Sequence, residues 1–102
     1  MANIDLVNVP ERHRYEARIA GKLAGFTQYR VVGDQDVFVH TVVDPAHEGR
    51  GVGSAIVRGA LDDVRAHGRR AVAVCPFMAA WLGRHPGLYD DILDEAPGTA
   101  RD

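Results

Sequence analysis

Between an apolar, β-branched run and a stripe of helical period the chain sets three glycines at alternate positions, Gly49, Gly51 and Gly53. This junction constrains the fold more than any other stretch. The run before it, Val37 to Val43 (VFVHTVV), is short and branched, which predicts a buried strand. After it Val52, Ile56, Ala60 and Val64, flanked by Ala55, Val57 and Leu61, recur as the apolar face of an amphipathic helix, and Gly68 is placed to end that helix. A helix that starts in a glycine loop leaves its first N–H groups uncovered at the positive end of its dipole, a place suited to phosphate or pyrophosphate. Arg50 adds a cation within the same loop. Glycines also serve tight turns and close helix packing, so a packing turn in a small α+β structural protein is the competing reading. Two other phosphate loops are excluded: Ile56 stands where the dinucleotide fingerprint needs its last glycine, and no Gly-Lys-Ser/Thr occurs.

The remaining elements follow from the same kind of pattern. Ile4 to Val9 alternates weakly before Pro10 and predicts a short first strand. His13 to Ala20, with Tyr15, Ala17 and Ile19 on one face, and Ala24 to Val32 flank a break at Gly21-Lys22 and predict a hairpin. Arg70 to Cys75 predicts another buried strand, and Pro76 opens a helix whose Phe77, Trp81 and Leu82 are assigned to the core. A last helical turn is expected after Pro86, with Leu88, Ile92 and Leu93 inward. The predicted class is α+β, a mostly antiparallel twisted sheet in the order β-β-β-β-α-β-α. A length of 102 residues predicts one domain over 1–95 and a frayed tail over 96–102.

A net charge of -2 lacks the positive field that binds nucleic acid without sequence preference. No stretch approaches the roughly 18 apolar residues of a membrane span, and the start carries no basic flank followed by an apolar run. Cys75 is the single cysteine, which fits a reducing compartment, and a cytoplasmic location is expected. The spacing of His13, His40, His47, His67 and His85 fits no zinc pattern, so no metal is expected.

The longer string Val43-Asp44-Pro45-Ala46-His47-Glu48-Gly49-Arg50-Gly51-Val52-Gly53 resembles the acetyl-CoA signature of the GNAT (N-acetyltransferase) superfamily, Val-x-Pro followed by Gln/Arg-x-x-Gly-x-Gly/Ala. With His40-Thr41, Cys75-Pro76 and His85-Pro86-x-x-Tyr89, it is similar to a subfamily of very small single-domain members. The resemblance implies acetyl-CoA as co-substrate and transfer of its acetyl group to an amine. It implies that backbone near Val42 and Val43 pairs with pantetheine, that amides of Gly49, Arg50, Gly51, Val52, Gly53 and Ser54 hold the pyrophosphate, and that the thioester lies between the splayed ends of the fourth and fifth strands. Glu48 departs from the pattern, setting a carboxylate where relatives carry Gln or Arg. The helices that commonly follow the first strand are lacking, which implies an acceptor side that is open or completed by a second copy in a homodimer.

Amide formation needs a base for the amine and a proton for the departing thiolate. His40 has the right intrinsic pKa for the first task, a hydrogen-bonded core histidine being the competing reading. Cys75 suits either proton donation or acyl acceptance, against the reading of a small buried hydrophobe. Tyr89 is a further candidate donor, against a packing role. The acidic stretch Asp90, Asp91, Asp94 and Glu95 is read as attractive to a basic acceptor or as a solvated face. A module that binds acyl-CoA without turnover is the alternative function; the acceptor and the acyl chain are left open.

Overall fold

The computed structural model describes residues 3–95; the expected fraying over 96–102 concerns residues outside that range. β1 (Ile4–Val9) and β2 (Arg14–Ile19) run antiparallel and are joined by a single 3-10 turn, Pro10–Arg12. β3 (Lys22–Val32) returns along β2, and β4 (Gln35–Val43) returns along β3. Helix α1 (Val52–Ala66) carries the chain back to β5 (Arg70–Ala73), which lies parallel to β4; α2 (Pro76–Arg84) follows, and β6 (Leu93–Asp94) pairs parallel with β5. The strands form one six-stranded sheet in sequence order. The α+β class and the antiparallel majority thus agree with the sequence pattern.

Helix α1 packs across β1 to β5 because its stripe is continuous: Val52, Ile56, Val57, Ala60, Leu61 and Val64 are all buried. Its C-terminus closes as the sequence suggests. Gly68 adopts a φ of 68°, and Arg69 N–H reaches back to the Val64 carbonyl at 3.0 Å, a left-handed cap that only glycine adopts without strain. Tyr15, Tyr29 and Phe38 from the sheet meet Val57, Leu61, Met78 and Trp81 in the main core, and Ala17, Ala24, Val52 and Ile56 form a smaller one at the opening of α1.

Three expectations need correction. β5 stops at Ala73: Val74 is exposed, and Cys75 is already the N-cap of α2. Phe77 is not core but 39% exposed, because the helix turns Met78 and Trp81 inward instead. The last helical turn is replaced by a looser path into β6. Gly87, at φ 88°, breaks the helix after Pro86, and Leu88 stays exposed while Ile92 is buried. Arg70 then fastens the strand end, donating to Asp94 Oδ1 at 2.7 Å and to the Asp91 carbonyl at 2.8 Å, while Gln35 donates to Asp94 Oδ2 at 2.8 Å. A polar clamp, not an apolar period, decides this segment.

Candidate active site

The glycine loop occupies the turn from the 3-10 helix Pro45–His47 to α1. Gly49 and Gly51 both take φ 80°, and a Cβ at either position meets nothing within 4 Å, so the loop faces open space. Gly51 is the N-cap of α1 and offers no side chain to cap it; the first helical bond is Ala55 N–H to Gly51 O at 3.0 Å. The N–H groups of Val52, Gly53 and Ser54 therefore lack a partner within the helix and sit at the positive end of its dipole. Two neighbouring amides are engaged: Glu48 N–H bonds Pro45 O and Arg50 N–H bonds His47 O, each at a long 3.3 Å. Arg50 thus offers chiefly its side chain. A Cβ at Gly53 would meet the outer edge of the exposed Phe77 ring, which would have to swing aside. Ser54 Oγ accepts from Trp81 Nε1 at 2.9 Å, which ties α2 to the first turn of α1.

Next to this loop the sheet splits. β5 pairs with β4 only through Phe38, whose carbonyl accepts both Val74 N–H at 3.0 Å and Cys75 N–H at 2.8 Å before the chain leaves into α2. Val39 to Val43 keep β3 on one edge and have no strand on the other. Opposite Gln28 and Tyr29 the register skips from His40 to Phe38, so Val39 is an extra residue in β4. Such a bulge resets which side each following residue faces. Phe38 and Val43 both pack into the clusters shared with α1, so by alternation Thr41 lies on the α1 side while His40 and Val42 face the opposite side.

The candidate residues are accordingly divided between the two faces of β4. Cys75, 2% exposed, bridges the split: its Sγ–H donates to Thr41 Oγ1 at 3.2 Å. Thr41 Oγ1 lies 2.9 Å from Thr27 Oγ1, and Thr27 Oγ1 lies 3.4 Å from the His40 carbonyl. One direction of donation, from thiol through both hydroxyls to the carbonyl, satisfies the whole chain. Cys75 thus adds a weak S–H donor to its packing in the core. His40 is exposed, edge-on to Phe26 with ring centroids 6.2 Å apart, and its ring makes no hydrogen bond to the described residues. The core-histidine reading fails on exposure. Tyr89 is drawn to α1 instead, its hydroxyl donating to Asp62 Oδ1 at 2.8 Å. Burial, then that bond, pushes its pKa up to about 12.

Sequence reasoning missed Thr27, whose place in the chain depends on strand pairing. It also missed the seat of Phe77 over Gly53, although an apolar residue just inside a proline-started helix was its one visible sign. Among the described residues no group of three or more His, Cys, Asp or Glu is arranged to hold a metal ion. The acidic stretch is tied down in part, Asp91 by Arg65 and Asp94 by Arg70, both at 2.7 Å. No helix of the described residues is long and apolar enough to cross a membrane.

Comparison with known proteins bears directly on this arrangement. Over 60 residues, 55% of the chain, the sequence is 40% identical to N-alpha-acetyltransferase RimI of Mycobacterium tuberculosis, of whose length the chain spans 38%. The fold is similar to the solution structure of a GCN5-like protein from Staphylococcus aureus, with a TM-score of 0.69 at 18% identity over 99% of this chain and 98% of that one. It is also similar to the crystal structure of ribosomal-protein-alanine N-acetyltransferase from Brucella melitensis, with a TM-score of 0.58 at 17% identity over 99% and 96% of the two chains. The family profile of GCN5-related N-acetyl-transferase matches residues 14–92, which take in every strand from β2 to β5, the glycine loop and both helices, and the chain belongs to that family.

Proposed function

We propose that the chain transfers an acetyl group from acetyl-CoA to an amine, with the pyrophosphate on the loop Gly49 to Ser54 and the pantetheine along the free edge of β4 at Val42 and Val43. The observation that carries this reading is the conjunction of uncapped amides at Val52, Gly53 and Ser54 with the split between β4 and β5 beside them. Donors for a phosphate and an unpaired strand edge for an amide-bearing arm occur together. In this reading His40 takes the proton of the attacking amine on one face of β4. The amine nitrogen bonds to the carbonyl carbon, the carbon–sulfur bond breaks, and the leaving sulfur receives a proton from Cys75 on the other face. His40 then gives its proton to solvent and Cys75 regains one, so protons balance. Tyr89 holds the C-terminal loop to α1.

The direct test is amine-dependent release of CoA thiol from acetyl-CoA, with the acetylated amine identified by mass. Binding of acetyl-CoA with no amine-dependent release by any acceptor would leave a binding module. A stable acetyl adduct on Cys75 in intact-mass spectra would replace direct transfer by a covalent route.

Glu48 gives a finer prediction. Its side chain is exposed at the loop, and a carboxylate about 8 Å from a phosphate charge is repelled by roughly 0.5 kcal/mol in water and about 2 kcal/mol at an effective dielectric near 20. Glu48→Gln is expected to tighten CoA binding by about two- to tenfold, with the gain shrinking as salt rises. Calorimetry at low and high ionic strength reads this, and pantetheine, which lacks the pyrophosphate, is the control that should show no change. Weaker binding at every salt concentration would mean that the carboxylate supports the loop.

A further inference from the structure

A cavity of 590 Å³ opens against β3 and the bulge of β4, lined by His13, Gln28, Tyr29, Arg30, Val31 and Val39, of which Gln28 and Arg30 alternate onto the face that His40 occupies. Its position is set by register: Gln28 is the cross-strand partner of His40, and Val39 is the bulge residue beside it. The cavity thus adjoins the histidine from the side opposite Cys75. Its lining holds no carboxylate, and its one permanent charge is Arg30. Arg30 is exposed and makes no hydrogen bond, ion pair or ring contact to the described residues.

The surrounding charges point the same way. Arg14 lies over Phe26 with its guanidinium carbon 4.3 Å from the ring centroid, so it too stands near His40. Glu16, the buried carboxylate of this face, is held by Arg18 at 2.6 Å, Arg14 at 2.8 Å and Arg12 at 3.8 Å. Hydrogen bonding from Arg18 keeps it below the usual glutamate range against the opposing effect of burial. Three arginines against one carboxylate leave two positive charges in that cluster. The other acids near this face are Asp44, which lines a separate recess with Phe26 and Val42 and accepts from Ala46 N–H at 2.9 Å, Glu11, in the 3-10 turn, and Asp5, which pairs in register with Arg18 at the far edge. Asp36 and Asp63 are engaged elsewhere, by Arg69 at 3.0 Å and by the Tyr15 hydroxyl at 2.8 Å.

We propose that the acceptor is an amine carrying a carboxylate, which Arg30 holds while the amine stands at His40; this rests on the acetyl-transfer reading above. Arg30 is two residues along β3 from the partner of His40, a separation of roughly 7 Å at the rise of an antiparallel strand. That matches an aminocarboxylate with a short spacer, or the amino end of a peptide with an acidic side chain. A guanidinium left without a partner is the group best shaped to grip a carboxylate. A polyamine, by contrast, puts its second cation against Arg30.

The test uses 5-aminopentanoate, its amide and 1,4-diaminobutane as acceptors with acetyl-CoA, and two hexapeptides that differ by Glu or Lys at the second position. The wild type is expected to use the aminocarboxylate, or the Glu peptide, with kcat/KM at least tenfold above its amide, the diamine and the Lys peptide. Arg30→Glu should reverse that order while acetyl-CoA affinity stays unchanged. Whichever of the free aminocarboxylate and the Glu peptide is faster identifies the source. Backbone amide shifts of Val31 and Val39 report occupancy without turnover. Shifts with 5-aminopentanoate and none with its amide support the pocket even if no transfer is seen, in which case the transfer reading is what fails. No shift with either, a wild-type preference for the diamine, or an unchanged order in Arg30→Glu overturns the proposal.

Discussion

Alanine in place of His40 is expected to lower amine-dependent acetyl transfer by about a hundredfold or more, the usual worth of a positioned general base, and to leave acetyl-CoA binding near its wild-type value. The position favours a clean result. His40 is exposed and its ring bonds to none of the described residues, so removing it strips no core contact, and stability should stay within about 0.5 kcal/mol of wild type. The loss should fall in kcat, and raising the pH should recover part of it by supplying unprotonated amine. Cys75→Ala is expected to reduce turnover as well, but its interpretation needs Cys75→Ser beside it. The thiol is buried and bonded to Thr41 at 3.2 Å, so alanine removes packing and a donor together, whereas serine keeps a donor. Partial activity in the serine variant would fit a proton donor. Unchanged turnover in both His40→Ala and Cys75→Ala would return these residues to structural roles.

How far the sequence foretold this molecule differs by element, and the reasons are physical. The four leading strands and α1 were legible because their apolar periods run long enough to choose between strand and helix, as with Val52, Ile56, Ala60 and Val64, all buried. The segment after Pro86 was not, because Leu88, Ile92 and Leu93 are too few to fix a period, and its path is set by Arg70 and Gln35 gripping Asp94. The glycine loop was legible as a motif, but not the engagement of the Glu48 and Arg50 amides in the turn before α1. Thr27 and Thr41 are 14 positions apart and Thr41 and Cys75 are 34 apart, so their hydrogen-bond chain arises only from strand pairing. The separation of His40 from Cys75 has the same origin, a single extra residue at Val39.

The second large effect concerns the loop itself. Ligand at about 100 times its dissociation constant should stabilise the fold by about 2.7 kcal/mol, and Gly51→Val should abolish that gain. Gly51 holds φ 80° at the N-cap, a left-handed conformation that a β-branched residue adopts only with strain, so the substitution must shift the very amides that would meet the pyrophosphate. It will also weaken the first turn of α1. The comparison is therefore the ligand-induced increment within each protein and not the melting temperature alone. Denaturation of wild type and Gly51→Val, each with and without millimolar acetyl-CoA, decides whether this loop holds the ligand. If it does, the wild-type transition moves clearly upward and that of the variant does not move; a wild-type transition that ignores the ligand, or a Gly51→Val protein that gains as much as the wild type, would show that it does not.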